Sequence, residues 1–399
     1  MNSAFLTAFG ARRAQESSAG SRVRSVLVAH PSPELYGSDR VLLESVKALV
    51  AGGIVVTVAL PSAGPLMQKI EASGATVAIC PTPVLRKSIL KPRGFALFVV
   101  QIAKGMSAGL RLMRSCNPDV VYVNTVTIPL WSVLARLSGK PVLTHVHEAE
   151  GSAPRALKFL LAAPLLLSTS IIANSKYSAS VLTSAVRRLS VRTAVVYNGV
   201  PGPPCPDTPR TELTEPVRLL YVGRLSWRKG VDVAISALSV INRQSVKASL
   251  SIVGGVFPGY EWYESELRQH VEDLGLEEAV TFHGFAPDIW PCIARADIVL
   301  VPSRLDEPFG NTAVEALLAA RPVIVSDTSG LREAAGNYAS AQMVPPGDAA
   351  ALAGAIERVI DDWASYRDHA QSDAVIAFDK HSSESYGARI RAELRSVVR

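Results

Sequence analysis

The sequence predicts an α/β protein made of two Rossmann-like domains, each with a parallel sheet, facing one another across a cleft. Three observations predict it. Short Val/Ile-rich runs alternate with stretches of helical period along the chain, which is the pattern of βαβ units. The segment GVPGPPCPDTPRTELTEP, at 199–216, carries six prolines and divides the 399 residues into halves of similar size. Proline lacks the backbone donor that a helix interior or central strand needs, so this segment is a linker. Hydrophobic residues make up 48% of the chain and aromatic residues only 6%, so Ala, Val and Leu must fill the cores, as suits parallel strands covered on both faces.

Taken in order, residues 1–22 are rich in Ser, Ala and Arg without a continuous apolar core, and are expected to form a flexible tail rather than a signal peptide. An N-terminal domain follows at 23–198, with strands at 23–29, 54–60, 75–80, 119–124, 141–146, 170–174 and 192–197. After the linker, a C-terminal domain at 217–375 has strands at 217–223, 247–254, 279–284, 296–303, 322–327 and 340–345. Helices are expected between them, at 38–51, 231–242, 261–274, 312–320 and 348–361. The spacing of Tyr386, Ile390 and Leu394 makes 376–399 a final helix, expected to pack back toward the N-terminal domain. The most apolar stretch, FLLAAPLLLSTSIIA at 159–173, is too short to span a bilayer and predicts a buried helix running into a buried strand. Cys80, Cys116, Cys205 and Cys292 lie far apart with no CxxC pair, which argues against zinc clusters and a disulfide framework and for a reduced, cytoplasmic setting.

The net charge of +6 hides an asymmetry. Residues 1–200 hold 22 basic and 8 acidic residues, a net of +14; the remainder holds 19 and 27, a net of −8. Between Glu71 and Asp119 there is no acidic residue but seven basic ones, Arg86, Lys87, Lys91, Arg93, Lys104, Arg111 and Arg114, interleaved with Leu85, Ile89, Leu90, Phe95, Leu97 and Phe98. A basic, partly apolar surface is attracted to an anionic membrane at about 1 kcal/mol per Lys or Arg. A plain solvated face is the alternative, and nucleic acid is not the expected partner.

Two stretches carry chemistry. In VGRLSWRKG, 222–230, a buried strand stops at Gly223, Arg224 and Lys229 follow, and a helix starts near Gly230. Two cations at a strand carboxyl end beside a helix N-terminus suit a diphosphate, where Arg forks onto oxygens and Lys acts as a point charge. In EPFGNTAVEA, 307–316, another strand has just ended, and Gly310 lets the backbone approach a ligand. The amides of 310–313 would point from the N-terminus of a helix beginning near Thr312. Glu315, expected in its first turn, either complements the helix dipole or accepts two hydroxyls of a ribose diol.

Glu307 and Glu315, with seven residues between them, resemble the EX7E motif of glycosyltransferase family 4 (group 1), retaining nucleotide-sugar transferases of the GT-B fold, and GRLSWRKG resembles that family's diphosphate loop. The resemblance runs from about 24 to 390 and is more specific in the C-terminal half. It implies the following roles. Arg224 and Lys229 neutralise the donor diphosphate; Glu315 holds the ribose; Glu307 lies near the transferred sugar. Phe309, Gly310, Asn311 and Thr312 offer amides to the donor, and His283, Gly284 and Phe285 lie by the nucleobase. YGSDR resembles the glycine turn that approaches the donor phosphate, so Gly37 is the candidate, with Ser38 where a second glycine is common. THVHE resembles the family's histidine-bearing strand end; His147 faces sugar or acceptor, with Glu148 where aspartate is more usual. Asn174 and Ser175 line the acceptor side.

The implied reaction moves a sugar from a nucleoside diphosphate sugar to a hydroxyl of a saccharide or lipid-linked saccharide, in cell-surface polysaccharide or glycolipid synthesis. It needs no cofactor, and no metal, if the two cations supply the charge. A lipid-linked acceptor would place the enzyme at the inner membrane face. A nucleotide-sugar binding protein without turnover and a GT-B epimerase are the rival readings. A dinucleotide oxidoreductase lacks its GxGxxG turn here.

Overall fold

In a computed structural model, the expected alternation closes into two parallel sheets. The structure describes residues 23–85, 92–149, 151–204, 207–243, 246–257 and 259–398, with backbone only at 92–95. The predicted tail, Cys205 and the basic residues Arg86, Lys87 and Lys91 lie outside the described residues.

The N-terminal domain runs β1 (Ser25–Ala29), α1 (Gly37–Ala51), β2 (Val55–Leu60), α2 (Pro65–Ala72), β3 (Thr76–Ile79), α3 (Pro92–Cys116), β4 (Val120–Val123), α4 (Leu130–Leu137), β5 (Val142–Val146), α5 (Arg155–Ala162), β6 (Ser170–Ala173), α6 (Lys176–Ala185) and β7 (Thr193–Val195). The C-terminal domain runs β8 (Val217–Val222), α7 (Val231–Asn242), β9 (Ala248–Val253), α8 (Glu261–Asp273), β10 (Val280–Gly284), α9 (Trp290–Arg295), β11 (Ile298–Val301), α10 (Asn311–Leu318), β12 (Val323–Ser326), α11 (Ser329–Ala335), β13 (Ala341–Val344) and α12 (Ala349–Asp361), followed by α13 (Trp363–His381) and α14 (Ser383–Ser396).

Strand order is β3-β2-β1-β4-β5-β6-β7 in the first sheet and β10-β9-β8-β11-β12-β13 in the second, every described pairing parallel. Both orders reverse direction beside their first strand, and ligands in such sheets sit beyond the strand carboxyl ends at that reversal. The central strands β4, β5, β11 and β12 are buried at every residue, which is why they are mostly apolar rather than alternating.

Three expectations are corrected. The stretch 159–173 is no buried helix. In α5 Ala162 alone is buried, while Leu157, Phe159 and Leu160 are exposed. Its apolar residues are continuous rather than confined to one stripe, and only the end leading into β6 meets the core. The helix after Gly310 starts at Asn311, a residue early, so Glu315 falls beyond its first turn and the dipole account of that side chain loses its footing. The final helix begins at Ser383 rather than at 376: α13 continues along the C-terminal domain, and Ser382 breaks the run by accepting the Ser385 N–H with its side chain. Beyond the break, Tyr386, Ile390 and Leu394 enter the N-terminal core beside Val41 and Leu42. The Tyr386 hydroxyl lies 2.6 Å from that of Ser45 on α1.

The domains also meet directly. Glu333 on α11 accepts the N–H groups of Lys176 (2.8 Å) and Tyr177 (2.6 Å), so a C-terminal-domain carboxylate caps the start of α6 in the other domain. The Ser175 hydroxyl donates to Pro308 O at 2.5 Å, and the Tyr177 hydroxyl donates to Asp306 at 3.0 Å.

Candidate active site

Between the domains, beyond the ends of β1 and β8, lies a cavity of about 390 Å³. Gly37 and Arg40 come to its wall from the start of α1; Arg224, Phe285, Thr312 and Glu315 come from the C-terminal domain. Asn311 lines it too, its side-chain oxygen accepting from the Asn198 amide at 2.8 Å. A Cβ on Gly37 would stand 3.8 Å from the Asn311 amide, so glycine there is not demanded by neighbouring protein and leaves room at the cavity wall. Gly310 is demanded: its φ is +132°, and a Cβ would come within 2.6 Å of Leu331.

Arg224 follows the end of β8. Its guanidinium lies 3.5 Å from the centroid of the Phe257 ring and 5.1 Å from that of Tyr36, so it is held by aromatic faces from both domains. Burial pulls its pKa down while Tyr36, Tyr221, Asp39 and Glu307 pull it up, and its buried Nε has no hydrogen-bond partner. A guanidinium stacked on rings keeps its charge available for a planar, bidentate anion.

Lys229 takes a different arrangement. Its Nζ pairs with Glu307 at 2.8 Å, and the Ser303 hydroxyl donates to the same carboxylate oxygen at 2.8 Å. Gly230 makes this close packing possible: its φ is +67°, and a Cβ would collide with Pro302 O. Glu315 stands in a desolvated part of the cleft that pushes its pKa up to about 7, with Arg40 pulling the other way.

On the N-terminal side His147 follows β5. Its Nε2 lies 3.0 Å from Asn124 Oδ1, and burial first, with the neighbouring His30 second, holds its pKa at about 3, so the ring is neutral. Glu148 turns into its own strand end, accepting from Thr125 and from the His147 N–H (3.1 Å). Burial raises its pKa against those bonds.

Of the residues expected from the sequence, Gly37, Arg224, Phe285, Asn311, Thr312 and Glu315 share the cavity wall. Lys229, Glu307 and His147 stand outside that wall. His283 leaves it as well, its Nε2 3.2 Å from the Ser251 hydroxyl, while Gly284 only carries the backbone toward Phe285. Phe309 packs its ring on Tyr197 with centroids 5.5 Å apart. Asn174 and Ser175 are buried at the contact with the other domain. Sequence reasoning did not single out Tyr36, Arg40, Phe257, Asn124 or Asp39. Tyr36, Asp39 and Arg40 flank the glycine turn it did quote; Phe257 and Asn124 carry no local signal. Among the described residues no group of three or more His, Cys, Asp or Glu side chains could hold a metal ion.

Known proteins share the sequence pattern and the fold. Residues 209–374 match the family model described as glycosyl transferases group 1, and residues 36–201 match that described as glycosyltransferase family 4. The chain is 30% identical over 282 residues to a glycogen synthase of Mycobacterium tuberculosis, covering 66% of this chain and 67% of that one. It is 27% identical over 353 residues to the 2-deoxystreptamine glucosyltransferase of Streptomyces kanamyceticus, covering 80% and 89%. Among solved structures, Anabaena HepE in complex with UDP and glucose superposes with a TM-score of 0.77 at 23% identity, covering 94% of this chain and all of that one. Sucrose-phosphate synthase from Thermosynechococcus elongatus gives 0.74 at 20% identity, covering 94% and 98%. With two facing Rossmann-like domains and a match in each, the chain has the GT-B fold and belongs to the group 1 glycosyltransferases.

Proposed function

We propose that the chain transfers a glycosyl group, with retention, from a nucleoside diphosphate sugar to a hydroxyl of a saccharide or lipid-linked saccharide. The observation that carries this is the cavity wall itself, where an aromatic-held guanidinium, a desolvated carboxylate and the glycine turn of the opposite domain face one space. Arg224 accepts the diphosphate and Glu315 the ribose diol. Charge grows on the leaving diphosphate in the transition state, and a preorganised donor aimed at it is worth about 3–4 kcal/mol. Arg224 and Lys229 supply that charge in place of a metal ion. Glu307 holds Lys229 at its post beside the transferred sugar. The leaving phosphate takes the acceptor's proton on the same face as attack, and closure of the domains keeps water out.

The acceptor side is proposed to meet an anionic membrane. The segment Ala96–Cys116 of α3 is long and apolar enough to cross a bilayer by length and composition, yet in it only Gly105, Gly109 and Met113 are buried in the fold. Gly105 and Gly109 seat it against Leu130 and Leu134, so it belongs to the domain surface. It leaves Leu97, Val99, Val100 and Met106 exposed, with Lys104, Arg111 and Arg114 along it. This arrangement suits a helix lying in a charged interface. The exposed apolar residues of α5 add to it. Such a protein would work at the inner face of the membrane, in surface polysaccharide or glycolipid synthesis.

The test is release of nucleoside diphosphate from a panel of UDP-, GDP-, ADP- and TDP-sugars, with membrane lipid extract as acceptor, for the wild type and Glu307→Gln. Extract-dependent release from one donor, lost in the variant, is expected. Tight donor binding without release from any of them would favour a binding protein. Sedimentation with phosphatidylglycerol vesicles tests the surface: binding should weaken with salt and in Arg111→Glu, and equal binding to neutral vesicles overturns it.

A further inference from the structure

Four polar side chains form a buried chain on the N-terminal side of the cleft. Asp39 accepts the Tyr36 N–H at 2.8 Å with Oδ2, and its Oδ1 lies 2.8 Å from His30 Nε2. His30 Nδ1 lies 3.1 Å from the Asn124 amide nitrogen, and Asn124 Oδ1 lies 3.0 Å from His147 Nε2. Asp39, His30 and Asn124 are 2%, 1% and 1% exposed, so water does not compete for these bonds. His30, Asn124 and His147 each follow the end of a strand, and β1, β4 and β5 are neighbours in the sheet.

The donor and acceptor roles follow link by link. A carboxylate only accepts, so His30 Nε2 carries a proton, and the Asn124 amide nitrogen only donates, so the His30 Nδ1 that faces it is a lone pair. Asn124 must then offer its NH₂ to His30 and its oxygen to His147. An amide oxygen only accepts, so the His147 proton sits on Nε2, and its buried Nδ1, without a hydrogen-bond partner, is left as an acceptor. We infer that Asp39, His30 and Asn124 are positioning residues that lock the orientation and tautomer of His147 and tie it to the turn bearing Gly37. The tie is the Tyr36 N–H, which binds the same carboxylate one residue before Gly37. A donor seated on that turn and the imidazole across the cleft are thereby held in one frame. The inference rests on the proposed place of His147 at the reaction centre.

Asp39→Asn tests it. The Tyr36 N–H still needs an oxygen, so the substituted amide must turn its NH₂ toward His30 Nε2. That drives the His30 proton to Nδ1, turns Asn124 over, and moves the His147 proton from Nε2 to Nδ1. Long-range ¹H–¹⁵N spectra of ¹⁵N-histidine-labelled protein read this directly, with the signal assigned by loss in His147→Gln. The wild type should show His147 protonated on Nε2, and Asp39→Asn should show it on Nδ1 with kcat reduced about tenfold or more and donor KM changed much less. Asn124→Leu, which cuts the chain without reversing it, should leave His147 as a mixture of tautomers, and serves if Asp39→Asn does not fold. A wild-type His147 protonated on Nδ1, or a tautomer indifferent to both variants, overturns the relay. A switched tautomer with unchanged kcat overturns the positioning role. Absence of turnover by the wild type on every donor would sink the transferase reading instead, and the spectra would still decide the relay.

Discussion

The two walls of the cleft solve their electrostatics in opposite ways. On the C-terminal side the polar groups are ionisable: Arg224 at the cavity wall lies on aromatic rings, Glu315 at that wall titrates near neutrality, and Lys229 pairs with Glu307 outside it. On the N-terminal side, behind the cavity wall, His30, Asn124 and Asp39 are almost wholly buried, and neutral His147 joins them through hydrogen bonds. A diphosphate needs countercharge, which suits the side that carries Arg224 and Lys229. A sugar hydroxyl needs a directed donor or acceptor of fixed geometry, which suits the other. Hydrogen bonds order this buried row from the Asp39 carboxylate to His147, whose Nδ1 is left as an open acceptor.

The largest test of this contrast is Arg224→Ala. Donor turnover, measured by nucleoside diphosphate release, should fall about 10²–10³-fold, the size of one lost charge-stabilising donor. A drop below tenfold would mean the countercharge comes from elsewhere.

Glu315→Gln is expected to weaken nucleoside diphosphate binding about tenfold at pH 8, since it removes a charged acceptor. In the wild type, calorimetric affinity should decline as pH falls through about 7, and in the variant it should not. Stability carries the opposite sign. The folded protein holds this proton up to about pH 7, the unfolded chain loses it near 4.5, so stability falls as pH rises across that window and levels above it. The urea midpoint of Glu315→Gln should lack this part of the slope.

Phe257→Ala removes the ring beneath Arg224. A cation–π contact of about 0.5–2 kcal/mol predicts donor KM raised about 2- to 30-fold with kcat less affected. An unchanged KM would show that the stacking does not present the guanidinium.

Glu333→Ala has the smallest expected effect. It uncaps α6 across the domain contact and should lower stability by about 1 kcal/mol in chemical unfolding, with the donor site intact.

Much of the C-terminal wall was legible because its residues are local. Gly223, Arg224, Lys229 and Gly230 fall within one strand-to-helix turn, and Glu307 and Gly310 within another, with Glu315 in the helix that follows. Chain order alone brings them together. Phe257 was not legible, because its partner Arg224 lies 33 positions away and an aromatic in a loop carries no periodic signal. Neither was the exposure of α5: an apolar run states what could be buried, not what covers it. On the N-terminal wall His147 could be suspected from its strand end, but Asn124 could not, since its meaning lies in the neighbours it bridges on β1 and β5.

The sequence by itself determined the strands, the order of the βαβ units and the cation and carboxylate loops, because each is written in a stretch shorter than a supersecondary unit. The tertiary structure decided which of those loops share a cavity, that Ser382 sends the last helix back to the first domain, and that Asp39 and His147, far apart in the chain, belong to one hydrogen-bonded row. The physical reason is that pattern and propensity act between near neighbours, while burial, desolvation and hydrogen-bond partnership are properties of the space that the packed sheets enclose.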